Sequence, residues 1–411
     1  MTLKPKSPTI YWLLLYISLN VVAAWIMYSS GFLVGDVSGK PVKSDEILFL
    51  ALFLVIASYL IVLGPLFWFS KKVKAFPPLS PARDALAANR LGCLLILLQL
   101  GFLVFNLAYG VNVAGQKTTR DLGLLSYFWV LVPVDSLFVI YYLVYRESGF
   151  FKANFSLWLF SNIIRGWSGV FLFIIFLEYC RSYRAGKVNH FYVAILAVFV
   201  VAMYPLIYSF KVGARTGDLS LILLNILTLL DFSHYVGQVG EGISHLVGRI
   251  QVTSMVYESI SLTDDLQEGF LRGDFVPFWK EGIFGIAYDK LFHGERGLTL
   301  GVMFTEYAGL NSGDSFGNWN TNTGLVTWFF VAPFLSPFFV TYIVFLCLLS
   351  TFLVKSMRRS PYSLDGLWFV WLIYLMPPWI GAFVSFIYAL FIFIFIQRVA
   401  SIVPRVSMSF K

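Results

Sequence analysis

Charge is scarce in this chain. Aspartate, glutamate, lysine and arginine make up 13% of its 411 residues, about half the share carried by a soluble domain. With 58% hydrophobic residues and a mean hydropathy of +0.77, there is too little polar surface to cover several water-soluble cores. Cysteine is scarce too. Cys93, Cys180 and Cys347 lie within or at the end of apolar runs and lack metal-ligand spacing, which argues against a disulfide framework or a structural zinc site. His190, His234, His245 and His293 form neither HxxxH nor HExxH. Serine-nucleophile elbows, Walker motifs, dinucleotide fingerprints, internal repeats and low-complexity tracts are missing. The net charge is +8, but the basic residues sit scattered at the ends of apolar blocks. They form no groove interleaved with aromatics, so nucleic acid is excluded as a partner. Anchoring against membrane lipid is the reading that remains. No metal and no cofactor are expected.

What the chain does have is long apolar blocks, and a membrane span needs ~20 apolar residues. Ile10–Tyr28, Ile47–Ser70, Leu91–Val111, Leu122–Tyr145, His190–Phe210 and Leu325–Val354 qualify. Ile10–Tyr28 is too long for a signal-peptide core and is read as a retained first span. Leu219–Phe232 is short. Leu364–Ile396 is too long for one upright helix and is interrupted by Pro377-Pro378, which predicts two short helices in a hairpin. Clusters of lysine and arginine at Lys71–Arg90, Arg181–Lys187 and Lys355–Arg359 mark cytoplasmic loops. That pattern is kept only if Phe151–Cys180 is a hairpin with Arg165 at its outer turn. The expected fold is an all-α polytopic membrane protein with roughly 10–12 transmembrane or re-entrant helices and one large extracytoplasmic loop. The chain divides into an N-terminal transmembrane bundle (1–150), arginine-bearing membrane segments (151–232), the large loop (233–324) and C-terminal helices (325–411). Ser233–Gly324 holds five basic and eleven acidic residues against a basic remainder, which favours the outer side. Loops of this length usually carry function.

Arginine placement is the main chemical signal. Arg215 lies in Gly213-Ala-Arg-Thr-Gly217 directly before an apolar run, Arg165 lies mid-segment, and Arg249 follows a stretch with four glycines. The guanidinium fork suits bidentate phosphate binding, and nearby glycines let backbone N–H groups approach. The plainer alternative is an interfacial anchor or a solvated helix end. Arg272, Lys280 and Arg296 sit among Phe270, Phe275, Phe278, Trp279 and Phe292. Aromatic faces beside polar groups suit a sugar, although a self-packed lid has the same composition. The stretch Gly317-Asn318-Trp319-Asn320-Thr-Asn322-Thr-Gly324 offers amides for glycan hydroxyls, or simply turns and a helix cap. Asp135, in an otherwise apolar span, is expected to face protein or water and to pair with an arginine such as Arg165. Asp264, Asp265 and Glu268 read as a solvated turn.

Three of these pieces, Gly213–Gly217, Arg249 after its glycine-rich stretch, and Gly317–Gly324 running into a helix, resemble the Wzy-type O-antigen and oligosaccharide repeat-unit polymerases. The O-antigen ligases are similar at a greater distance. The resemblance covers about 165–340; the first part of the chain matches only as a bundle of spans. It implies an inverting, metal-independent membrane glycosyltransferase of the C type, working at the periplasmic face of a bacterial inner membrane. Such an enzyme joins undecaprenyl-diphosphate-linked oligosaccharide units into a surface polysaccharide, with a chain-length regulator and a flippase as companions. It further implies that Arg215, Arg249 and Arg165 hold the diphosphate leaving group. Arg272, Lys280, Arg296, Trp279, Asn318, Trp319, Asn320 and Asn322 would bind substrate. The general base is open among Glu306, Asp314, His293 and Glu258. Ligases typically carry a histidine near the late motif, and this chain has none there, which favours polymerase over ligase. A lipid-linked oligosaccharide flippase or other transporter is the rival class. A carrier usually shows two related halves, whereas this chain is asymmetric.

Overall fold

The computed structural model describes residues 7–112, 123–167, 169–189, 191, 193, 195, 198, 202, 205, 231, 235–240, 247–248, 250–292, 297–310, 321–357 and 361–402. Among these residues there is no strand, only an isolated bridge between Phe32 and Pro41. Six helices among the described residues are long and apolar enough to cross a membrane: Thr9–Ser30, Asp45–Ser70, Pro81–Tyr109, Tyr127–Tyr145, Pro333–Ser356 and Ile380–Ile402. The chain is an all-α polytopic membrane protein.

Local sequence explains where these spans begin, bend and stop. Helix α1 (Thr9–Ser30) ends on Gly31, whose left-handed backbone (φ +74°) closes the helix by donating its N–H to the Met27 carbonyl. Helix α2 (Asp45–Ser70) starts from Ser44, whose side chain accepts from the Ile47 N–H, with Asp45 and Glu46 in the first turn. Pro65 removes one donor inside α2, and Val62–Leu66 widens into a π turn there. Helix α3 (Pro81–Tyr109) opens on its proline. The fourth span is two helices, α4 (Gly123–Leu131) and α5 (Val134–Tyr145), separated at Pro133.

Helices α6 (Phe151–Ile164) and α7 (Gly169–Arg184) form the hairpin that the charge pattern requires, with Arg165 at the turn. Glu178 on α7 meets Arg146 at 2.9 Å, and Arg146 lies 4.2 Å from the Phe151 ring. The later part of α7 therefore returns to the level at which α6 begins. The segments His190–Phe210 and Leu219–Phe232 lie largely or wholly outside the described residues. Within the polar segment are α8 (Thr253–Ser261), α9 (Thr263–Arg272), α10 (Ile283–Phe292) and α11 (Leu300–Tyr307). The block expected as one span from Leu325 breaks at Ala332 into α12 (Thr327–Val331) and α13 (Ser336–Ser356). Pro337 at the start of α13 has no N–H to lose there. Helix α14 (Pro361–Val370) runs on as a π turn over Trp371–Leu375. The Pro377-Pro378 break falls where expected, but the helix beyond it, α15 (Ile380–Ile402), is not short: its 23 residues cross a membrane unaided.

The two ends of the bundle differ in charge. Lys355 donates to the Lys71 carbonyl at 2.9 Å, Arg398 to the Pro77 carbonyl at 2.8 Å and Arg90 to the Ala400 carbonyl at 2.8 Å. Arg184 pairs with Asp365, and Tyr11 at the start of α1 touches Tyr183. This basic end gathers the ends of α2, α5, α7, α13 and α15. Since α1 leaves it and α2 returns to it, the loop 31–44 lies at the opposite end. Between the ends, a dry aromatic core packs α1 against α7 and α14, with Phe176 stacked on Phe369 at 4.1 Å and Trp12 edge-on to Phe176 at 5.1 Å.

Candidate functional site

At the end opposite the lysines and arginines, a polar segment is buried where an apolar one would be expected. Gln251, Thr253, Ser254 and Ser259 are each no more than 1% exposed. They introduce and form α8, which packs against α1, α2 and the loop 31–44. The start of α8 reaches Asn20, which lies about 16 Å along α1, close to its midpoint. A helix start buried at that depth has orphan N–H groups and no water to satisfy them. Asn20 supplies the acceptor: its Oδ1 takes the N–H groups of Val252 at 2.8 Å and Thr253 at 3.2 Å, and the Thr253 hydroxyl at 2.9 Å. Gln251 adds a second acceptor, with the Ser254 N–H donating to its Oε1 at 3.0 Å. Asn20 returns its own N–H to the Tyr16 carbonyl.

The loop 31–44 clamps this helix from outside. Gly35 and Gly248 meet backbone to backbone; a Cβ on Gly248 would lie 2.6 Å from the Gly35 Cα, and Gly35 is itself left-handed at φ +81°. The Tyr257 hydroxyl accepts the Lys43 N–H at 2.7 Å and the Ser44 N–H at 3.1 Å. Lys40 reaches Glu258 at 2.5 Å. The third wall is the chain entering α12. Thr321 donates to Asp36 at 2.9 Å and approaches the Met255 sulfur at 3.9 Å. Gly324, at φ +89°, fits against Val256 only because it has no Cβ. Asn322 and Thr323 are 6% and 1% exposed, and among the described residues Asn322 Oδ1 and Thr323 Oγ1 have no hydrogen-bond partner. Two buried oxygens thus stand open side by side against a buried polar helix.

The residues singled out from the sequence fall into three groups. Arg215, Arg249, Arg296, His293, Asp314, Asn318, Trp319 and Asn320 lie outside the described residues. Glu258 and Asn322 belong to the seam just described. The remainder lie elsewhere. Arg165, only 4% exposed, places one guanidinium nitrogen on both Asp135 oxygens at 3.0 and 2.8 Å and donates from Nε to the Ser161 carbonyl. The pairing expected of Asp135 is present, and the Arg165 charge is committed to it. Arg272 is half exposed and bonded to Glu268, Asp274 and Tyr307. The Tyr307 hydroxyl, and then the Arg272 guanidinium, hold the Asp274 carboxyl below its usual range.

Lys280 lies 5.2 Å from the Tyr288 ring and lines a small cavity with Glu281, Gly282 and Thr299. Of the aromatics, Phe278 is fully buried against Trp328 at 5.3 Å and Phe339 at 4.9 Å. Trp279 stays 38% exposed, tilted against Phe338 at 5.3 Å. Glu306 is exposed near the end of α11.

Lys40, Asn20, Gln251 and Thr323 were missed. Asn20 had a readable signal: a lone amide between Leu19 and Val21 in an apolar run is costly in lipid and demands a partner. Lys40 had none, because nothing local ties it to a residue 218 positions away. Among the described residues no group of three or more histidine, cysteine, aspartate or glutamate side chains could hold a metal ion. No family model, curated protein or solved structure matches this chain.

Proposed function

We propose that the protein is a membrane glycosyltransferase that joins undecaprenyl-diphosphate-linked oligosaccharide units into a surface polysaccharide. On this reading the basic end faces the cytoplasm of a bacterial inner membrane and the buried polar seam opens on the periplasmic side. The observation that carries the proposal is the seam itself. A helix start set at mid-depth in α1 lies beside Asn322 and Thr323, whose buried oxygens are open. A soluble sugar would not require a site at that depth. A sugar tethered to a polyprenyl chain would, because its lipid stays in the bilayer while its hydroxyls need polar partners. The donor is already activated as a diphosphate, so a nucleotide motif is not needed. Charge grows on the leaving diphosphate in the transition state, where fixed cations such as Arg215 and Arg249 would stabilise it.

A flippase is the second reading, and one observation favours it. A helix that starts at mid-depth is a common device of carriers, whose exposed helix dipole meets the substrate. Here Asn20 already occupies the first N–H groups of α8, which weakens that role. Purified protein in liposomes with radiolabelled lipid-linked units separates the two. Growth of a polymer ladder is expected; movement of the label across the bilayer without chain growth would establish the flippase instead.

A further inference from the structure

We infer that Glu258 is the general base of this transfer, held in place by Lys40 from the first loop; the assignment rests on the polymerase reading above. An acceptor hydroxyl needs a carboxylate or imidazole within hydrogen-bond reach. Among the acids proposed from the sequence, Glu306 is exposed near the end of α11. Glu258 is on α8, three residues beyond Met255 and on the same face. Met255 is the residue that Thr321 touches, and from there the chain through Asn322 and Thr323 runs to Gly324, which packs on Val256 of the same helix and on Val252 at its cap.

The carboxylate is 8% exposed and half committed. Oε1 meets Lys40 Nζ at 2.5 Å, while among the described residues no hydrogen bond reaches Oε2. A structural ion pair in so buried a place normally closes both oxygens, because each open lone pair costs desolvation. Neighbouring polar groups have other partners. Tyr257 is fastened to the Lys43 and Ser44 backbone, and Asp36 is turned toward Thr321. Lys40 is therefore a positioning residue, and Oε2 is the atom that receives a proton.

The step balances without a further reactant. The acceptor hydroxyl gives its proton to Glu258 Oε2. Its oxygen forms a bond to the anomeric carbon, the bond from that carbon to the diphosphate oxygen breaks, and the diphosphate leaves with the electron pair. The protonated Glu258 then returns its proton to solvent.

The test compares wild type, Glu258→Gln and Lys40→Met in liposomes with radiolabelled lipid-linked units, alongside melting temperatures in detergent. Both variants break the same ion pair. If that pair is only structural, both lose turnover and melting temperature together. The inference predicts an asymmetry. Glu258→Gln loses at least about a hundredfold in chain growth while binding the lipid-linked unit as wild type does, and Lys40→Met loses less than about tenfold. Equal losses, or near-normal growth by Glu258→Gln, would overturn it and leave the polymerase reading standing. If Glu258→Gln does not fold, Glu258→Asp keeps the charge and retracts it by one methylene. Its kcat should then fall with KM unchanged, and an unchanged kcat would overturn the role. A wild-type protein that binds the lipid-linked unit but grows no chain would remove the polymerase reading, and the base with it.

Discussion

At the basic end, Asp365 gives both carboxylate oxygens to Arg184, and Glu178 is shared among Tyr142, Arg146 and Arg181. At the opposite end, Glu258 gives one oxygen to Lys40 and keeps the other. The first end ties helices together with closed pairs. Tyr145 adds to this by donating to Asp84 at 2.6 Å and accepting from Gln397 at 2.6 Å, which joins α3, α5 and α15. The second end buries a polar helix and leaves acceptors open beside it. Buried polar groups in a membrane protein are costly, so closed pairs read as architecture; open buried atoms occur elsewhere too, Gln397 Oε1 among them, and it is their grouping with the half-paired Glu258 that sets the seam apart. Arg165 is paired as well: one terminal guanidinium nitrogen spans both Asp135 oxygens.

The contrast can be broken from either end. The largest effect is expected for Asp365→Ala, which leaves Arg184 without its partner at a mostly buried position. The loss should approach about 3 kcal/mol, read as a lower melting temperature and poor recovery of monodisperse protein. Asn20→Leu comes next. It removes the acceptor for two N–H groups and one hydroxyl at the start of α8, at about 2 kcal/mol. Asn20→Asp keeps an acceptor and should recover much of that loss. Gly248→Ala drives a Cβ against the Gly35 backbone and should cost about 1–3 kcal/mol. Since Gly35 lies in the clamp over α8, the seam should loosen before the basic end does. Hydrogen exchange that rises first in 251–261 would sharpen the contrast, and a uniform rise would blur it.

The smallest effect concerns the exposed tie at the end of α9. Its carboxyl, Asp274, is held below the ordinary value by Tyr307 and Arg272. A depressed folded-state pKa means its contribution is full above the unfolded carboxylate value of about 3.9 and is lost as pH falls through the lower folded value. Protection of the Gly273 and Asp274 amides should thus be flat from neutral pH down to about 4 and should decline only below that.

The sequence made the apolar spans, the hairpin at Arg165 and the Asp135 pairing legible, because each follows from the cost of exposing charge or backbone to lipid. Helix length after Pro377-Pro378 was misjudged. The two prolines mark a break, but the apolar run continues to Ile402 and sets the length. The seam was legible only in fragments. Glu258 and Asn322 stood out by residue type, whereas Lys40 and Thr323 became visible only when the fold brought loop 31–44 and the approach to α12 against α8. Long-range pairs such as Lys40 with Glu258 leave no periodic trace in a single sequence.

On the proposed function, the seam around α8, and not the arginine-bearing tie at α9, receives the lipid-linked substrate. A photoreactive undecaprenyl-diphosphate oligosaccharide, crosslinked to the protein in liposomes and mapped by peptide mass, tests it most directly. Adducts are expected within 251–261 and 321–326, competed away by the unmodified lipid-linked unit. Adducts confined to 268–274 or to the basic end, with the seam peptides unlabelled, would contradict it.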